Sequence, residues 1–365
     1  MLEGIRIIEI EGLGPAPFAA MMLAELGADV IVVHRRTPSD TPRAPGPNLL
    51  DRGKRSIALD LKDTDDAKAL RALLATADGL IEGFRPGVME RLGFGPEAVH
   101  AIRPALVYGR MTGWGQTGPR AHQAGHDLNY IALSGALWGA SPPGQPPFTP
   151  PTLLGDIGGG ALYLVIGMLA GLIRARATGK GTVVDAAIVD GSAHMQALAL
   201  SLLAPGTPLP PRGKGLLDGP YWSRTYACAD GRFISVQCLE PRFHATFLKL
   251  LDLEKDPDFA AQFDPESWPH ATARLETLFS SRPRDHWAKL FEGTDACVAP
   301  VLDPEESAED PHMSARQTWS RAHGRLEPRA APRFDNAPPP EPPAPPARGA
   351  HSAEILAELG LKPRS

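Results

Sequence analysis

The chain has 365 residues, 43% of them hydrophobic and 22% charged, and a formal net charge of −5. That is ample material for a sizeable core and for two domains, and it excludes a disordered polymer. The acidic balance argues against general binding to nucleic acid or to an anionic membrane, so an acidic ligand has to be met by a local basic cluster.

The opening MLEGIRIIEIEGLG lacks a basic region followed by an apolar one, so no signal peptide is expected. Residues 5–10 read as a strand, 15–27 as a helix with Pro15 near its first turn and Gly27 closing it, and 28–34 as the next strand, which together make a βαβ unit. The GLGPAP turn keeps Gly12 and Gly14 but lacks the third glycine of a dinucleotide fingerprint, and prolines occupy it; it reads as a tight strand-to-helix turn. Strands at 56–61, 79–84 and 105–113, with a helix at 63–77 that opens on acidic residues, extend the alternation. The fold class expected is α/β: a Rossmann-like large domain, its mostly parallel sheet covered by helices on both faces.

The longest apolar stretch, 158–173, falls short of the ~20 residues that cross a bilayer and is interrupted by glycines, so it is expected to be a buried core helix. A glycine turn, a short strand and a further helix follow from 179. The run PGTPLPPRGKG at 205–215 breaks the pattern as a linker does. Residues 221–240 then read as a hairpin turning at Ala-Asp-Gly, with helices at 241–252, 269–279 and 284–293, which describes a smaller α+β domain. A proline-rich strap from Arg333 ends in the short helix HSAEILAELG. The domains expected are 1–190, completed by a C-terminal return at 310–365; a linker at 191–220; the small domain at 221–300; and a linker at 301–309. The closing LGLKPRS does not match a Ser-Lys-Leu signal. Cys228, Cys238 and Cys297 are widely spaced, with no C-x-x-C pair and no histidine at ligand spacing, so neither a disulfide scaffold nor a metal site is expected and a reducing cytoplasm fits best.

Two titratable residues stand out: His126 in GHDLNYIALSG and Asp156 in GDIGGGALYLVIG, thirty positions apart in apolar, glycine-rich surroundings. Such a pair suits a reaction in which a proton leaves one face of a carbon and another returns to the opposite face. A base alone is insufficient, because the carbanion's charge has to be stabilised as it develops. An imidazole titrates near neutrality, Gly125 permits close approach of a ligand, and Asp127 can tune or orient the network. For Asp156 the bland alternative is a helix N-cap. Three successive glycines after it sacrifice helix propensity, up to ~1 kcal/mol each, and leave bare N–H groups able to face an anion; the carboxylate is then a base or a nucleophile. Glu240, in CLEPRF, reads by itself as a solvated strand-end residue. The basic residues are His34, Arg35 and Arg36, then Arg52, Lys54 and Arg55, then Arg85 and Arg91. Several follow carboxyl ends of expected strands, where open α/β sheets bind ligands, and as a set they read as a phosphate-binding site.

Several motifs occur in order along nearly the whole chain: GPAPFAAMMLAELGADVIVV, FRPGVMERLGFGP, GRMTGWGQTGP, GDIGGGALYLVIGMLAGL, GKGTVVDAAIVDG, CADGRF and HSAEILAELG. Together they resemble the family III CoA-transferases. Within that family GHDLNYIALSG is similar to the α-methylacyl-CoA racemase branch, in which an aspartate at the position of Asp156, the nucleophile of the transferases, is paired with a histidine at the position of His126. The resemblance implies an interlocked homodimer, with the active site between the large domain of one subunit and the small domain of the other, and a glutamate at Glu240 hydrogen-bonded to the histidine. It implies that Arg35, Arg52, Arg55, Arg85 and Arg91, with Lys54, hold the phosphates of CoA. VVHRRT departs from the branch's arginine-proline and leaves Arg35 and Arg36 competing for one role. The activity implied is 1,1-proton transfer on a 2-methylacyl-CoA without metal or redox cofactor, CoA entering as part of the substrate. The rival readings are a CoA-transferase working through an aspartyl anhydride at Asp156, and a CoA-ester binding protein without turnover.

Overall fold

In the computed structural model, residues 1–37 and 46–362 are described. They fall into two compact units. The first comprises 1–137, 149–201 and 317–365, and the second 138–148 and 202–316. The sequence reading had no place for 138–148 in the smaller unit, and it began the C-terminal return at 310 rather than 317.

Among the described residues of the first unit, six parallel strands form one sheet: β1 (Arg6–Ile10), β2 (Asp29–His34), β3 (Arg55–Ala58), β4 (Gly79–Glu82), β5 (Val107–Thr112) and β6 (Thr182–Ala187), in the order β3-β2-β1-β4-β5-β6. The order reverses between β1 and β4, and the crevice outside the carboxyl ends at such a reversal is the usual ligand site of doubly wound sheets. Strands β2 and β4 are apolar runs because both faces are covered. Successive residues alternate between two cores, as period-2 geometry requires. Ile7, Ile81 and Val107 pack on one side with Leu23 of α1 (Pro15–Glu25) and with Leu164 and Met168 of a later helix. Ile8, Leu80 and Tyr108 pack on the other with Leu70 and Leu73 of α2 (Thr64–Ala75) and with Val99. The Asp63 carboxylate accepts the Asp65 and Asp66 N–H groups and so starts α2. Short helices α3 (Val88–Arg91), α4 (Pro96–Ile102) and α5 (Asp127–Leu133) follow at their loops.

The apolar stretch is longer than expected. A π-helix at Leu153–Ala161 runs into α6 (Leu162–Thr178), 26 helical residues with a mean hydropathy of 1.8 in their most apolar window, enough by length and composition to cross a membrane. Leu164, Met168 and Leu172 lie in the sheet's core, whereas Ile166 and Ile173 are 61% and 72% exposed. The helix is therefore buried on one face only. After β6 come α7 (Ile188–Met195) and α8 (Ala197–Leu200).

The second unit has its own antiparallel sheet, β7 (Ser223–Ala227), β8 (Phe233–Gln237) and β9 (Val298–Val301), with helices α9 (Pro241–Leu250), α10 (Trp268–Phe279), α11 (Arg284–Phe291), α12 (Pro304–Glu309) and α13 (Pro311–Ala315). Its core is aromatic: Tyr221, Trp222, Tyr226, Phe247, Phe279 and Trp287.

The chain returns to the first unit through the two-stranded pair β10 (Trp319–Ser320) and β11 (Glu327–Pro328) and ends in α14 (Ser352–Glu358). There it covers the edge strand β3. The Ser56 N–H donates to His351 Nδ1 at 3.0 Å, the Ala58 N–H to Ser352 Oγ at 3.2 Å, and the His351 N–H to the Ser56 carbonyl at 2.9 Å.

Candidate active site

Asp156 lies inside the π-helix rather than at a helix N-cap. The π winding is visible in the Ile157 N–H, which donates five residues back to the Thr152 carbonyl at 3.0 Å. One neighbouring carboxylate holds the turn: Asp127 Oδ1 accepts the Asp156 N–H at 2.8 Å and its Oδ2 accepts the Thr152 N–H at 3.2 Å. Gly155 lets it approach, since a Cβ there would overlap the Asp127 carboxylate. The Asp156 carboxyl points at the turn after β1, where a Cβ on Gly14 would stand 3.4 Å from its Oδ2; Gly14 also has φ +66°. The GLGPAP turn thus forms a wall of the site.

Burial pushes the Asp156 pKa up to about 6, the negative charge of Asp127 adds to the rise, and His126 opposes it. The structure therefore brings His126, Asp127 and Asp156 together in one unit. His126 precedes the first turn of α5, exposed, with its N–H donating to Asn129 Oδ1 at 3.1 Å. Tyr130, unnoticed in the sequence although it shares the histidine's motif, packs edge-on against Trp114 at 4.7 Å and donates its hydroxyl to the Gly125 carbonyl, fixing the backbone just before His126. Its phenol is pushed above its usual range by burial and then by the Asp156 charge, and Arg85 pulls the other way, so Arg85 also faces this site. Two amides of the GDIGGG turn, those of Asp156 and Ile157, are engaged by the Asp127 carboxylate and the Thr152 carbonyl. Glu240 belongs to the second unit, where it is exposed and precedes α9.

The arginines divide in two. Arg35 and Arg36 follow β2, and Arg85 follows β4, at the carboxyl edge of the sheet. A cleft of about 590 Å³ opens there, lined by Glu11, Arg35, Arg36, Lys62, Phe84 and Leu92 among others. Arg36 is held by Asp66 through two hydrogen bonds of 2.7 Å, whereas Arg35 sits over the Phe84 ring at 5.9 Å. Both residues line the cleft, Arg36 with its guanidinium paired to Asp66. Arg85 and Arg91 are exposed.

Arg52 and Lys54 precede β3 and Arg55 opens it, and the expectation for all three requires correction. Arg52 is 2% exposed and its guanidinium donates to Glu25 at 2.6 and 2.9 Å and to Glu327 at 3.5 Å. The Lys54 side chain is 0% exposed and donates to Glu9 at 2.5 Å and to the Pro17 carbonyl at 3.1 Å. Arg55 opens β3 at the amino edge, where it holds Asp29 and Glu358. Groups so enclosed or so paired are engaged within the protein, which argues against contact with a phosphate, and their position at the start of β3, rather than after a strand, is the reason.

The sequence profile of CoA-transferase family III matches residues 2–352. Over 364 residues the chain is 39% identical to the alpha-methylacyl-CoA racemases of Mus musculus and Homo sapiens, covering 99% and 98% of this chain and 93% of each relative. The crystal structure of a CAIB/BAIF family protein from Brucella suis superposes with a TM-score of 0.82 at 28% identity, over 98% of both chains. The carboxyl-edge cleft, the Asp156 turn and these full-length matches lead to one statement of kinship: the chain belongs to CoA-transferase family III.

Proposed function

We propose that this protein is an acyl-CoA racemase, interconverting (2R)- and (2S)-2-methylacyl-CoA thioesters by 1,1-proton transfer through an enolate. One observation carries the reading: a carboxyl with its pKa raised to about 6, close enough to an imidazole to feel its charge. One of His126 and Asp156 takes the α-proton and the other returns one to the opposite face; reversal exchanges their roles. A desolvated carboxylate is the stronger base, which is what a weakly acidic α-carbon demands. The enolate oxygen is met by the Asp127 and Leu128 N–H groups, because the first amides of a helix have no partner within it.

The cleft at the carboxyl edge takes the CoA moiety, with Arg35, Arg85 and Arg91 toward its phosphates. A second copy of the chain covers the exposed apolar face of α6 and brings its Glu240 to His126. Membership of the family and the name carried by the mouse and human relatives support this reading. The role in the cell is the interconversion of acyl-CoA epimers for lipid metabolism, in the cytoplasm, where cysteines stay reduced; Cys228, Cys238 and Cys297 are free.

The test is NMR of one enantiomer of a 2-methylacyl-CoA in D₂O without an acceptor acid. Loss of the α-proton signal with appearance of both epimers is expected. Retention of that proton, with CoA moving only once a free carboxylic acid is added, would overturn it in favour of a transferase with Asp156 as nucleophile.

A further inference from the structure

Within the cleft one residue opposes the ligand the cleft is read to bind. Glu11, at the end of β1, lines it and is buried. Burial alone would raise its pKa, but the hydrogen bonds from Arg348 and from the Arg35 N–H more than offset this and hold it at about 2, so the carboxylate is charged. A fixed negative charge here repels a polyanion. Asp60, another carboxylate of the lining, is exposed, and water screens it.

Arg348 comes from the C-terminal return, 337 positions away. Its Nη1 donates to Glu11 Oε2 at 2.8 Å and its Nη2 to Glu11 Oε1 at 2.7 Å, a bidentate fork. The same Nη1 donates to the Arg35 carbonyl at 2.8 Å, while the Arg35 N–H donates to Glu11 Oε2 at 2.8 Å. The backbone that carries the cleft's arginine is thus gripped at both its N–H and its C=O by one ion pair.

We propose that Arg348 is a positioning residue for CoA binding: it neutralises Glu11 inside the cleft and fixes the Arg35 backbone so that the guanidinium faces the ligand's phosphates. The proposal rests on reading the cleft as the CoA site. Arg348 acts through Glu11, so its loss removes the bidentate fork that holds a buried carboxylate together with the Arg35 carbonyl, and neutralising Glu11 at the same time offsets the harm. A residue that merely supports the fold would show no such rescue.

The experiment is calorimetric titration of the full-length protein with free CoA, for the wild type and for Glu11→Gln, Arg348→Met and the double variant, at low and high salt. Expected are a loss of affinity of about tenfold or more in Arg348→Met that shrinks with salt, a return to within about threefold of wild type in the double variant, and a gain of about threefold in Glu11→Gln alone. Unchanged affinity in Arg348→Met, or a double variant as weak as it, overturns the proposal. Should Arg348→Met fail to fold, Glu11→Gln decides: tighter binding supports the proposal, and equal or weaker binding sinks it. A wild type that takes up no CoA overturns the reading of the cleft, and the proposal with it, and is told apart because every variant is then equally silent.

Discussion

The two edges of the six-stranded sheet carry the same kind of residue and use it in opposite ways. At the amino edge, Arg6 and Arg55 converge on Asp29 and Glu358, with distances from 2.5 to 3.4 Å, and their charge is spent within the protein. At the carboxyl edge Arg35 and Arg85 stand exposed. Saturated charge marks structure and unsaturated charge marks a site. Residue type separates neither edge from the other; strand direction does.

That contrast is broken or sharpened by substitution at each edge. The largest effect belongs to the reacting pair: His126→Ala is expected to slow racemisation by roughly 10³-fold or more with unfolding unchanged, and deuterium exchange at the α-carbon measures it. Retention of most of the turnover would remove His126 from the mechanism. Next is Lys54→Met, which strands Glu9, a carboxyl whose pKa burial already raises. Urea unfolding should show a loss of about 3–5 kcal/mol, with CoA affinity of the folded fraction intact. A loss of affinity instead would return Lys54 to the ligand site.

The arginines make the cleanest pair. Arg35→Ala should weaken CoA binding by roughly 10- to 100-fold at constant stability, and Arg55→Ala should cost about 1–3 kcal/mol of stability at constant CoA affinity. Titration calorimetry and chemical denaturation read both; the same phenotype from both variants would erase the distinction between the edges.

The smallest effect is in pH. When Asp156 takes the proton it has to be ionised, so kcat/KM in that direction should rise as pH rises through about 6. Asp127 raises that pKa, so Asp127→Asn should move the limb to lower pH, by up to about one unit. A shift to higher pH would mean that the loss of the Asp127 hydrogen bonds, not of its charge, dominates.

Much of this was legible in the sequence. Strands β1, β2 and β4 and helices α1 and α2 follow from apolar runs, capping residues and breakers. His126 and Asp156 announce themselves by titratable side chains among glycines. The misreadings share a cause. Arg52, Lys54 and Arg55 stand near a strand in sequence, but whether a residue lies at a strand's start or beyond its end is a matter of a few positions, and that decides the edge. Arg36 looked interchangeable with Arg35 because its partner, Asp66, is 30 positions away on α2. The π winding left only its four glycines as a trace, since one extra residue in a turn has no composition of its own. Arg348 left none.

The strap over β3 also bears on how the molecule is made. Ser56 of β3 finds its partners Gly349 and His351 293 and 295 positions later. At a ribosomal rate of 5–20 residues per second, β3 emerges about 15–60 s before the segment that covers it. During that interval the nascent sheet ends in a bare edge, the usual template for misassembly. The first unit can then close only after the second has been synthesised. Chaperone demand during translation should therefore peak between those two moments.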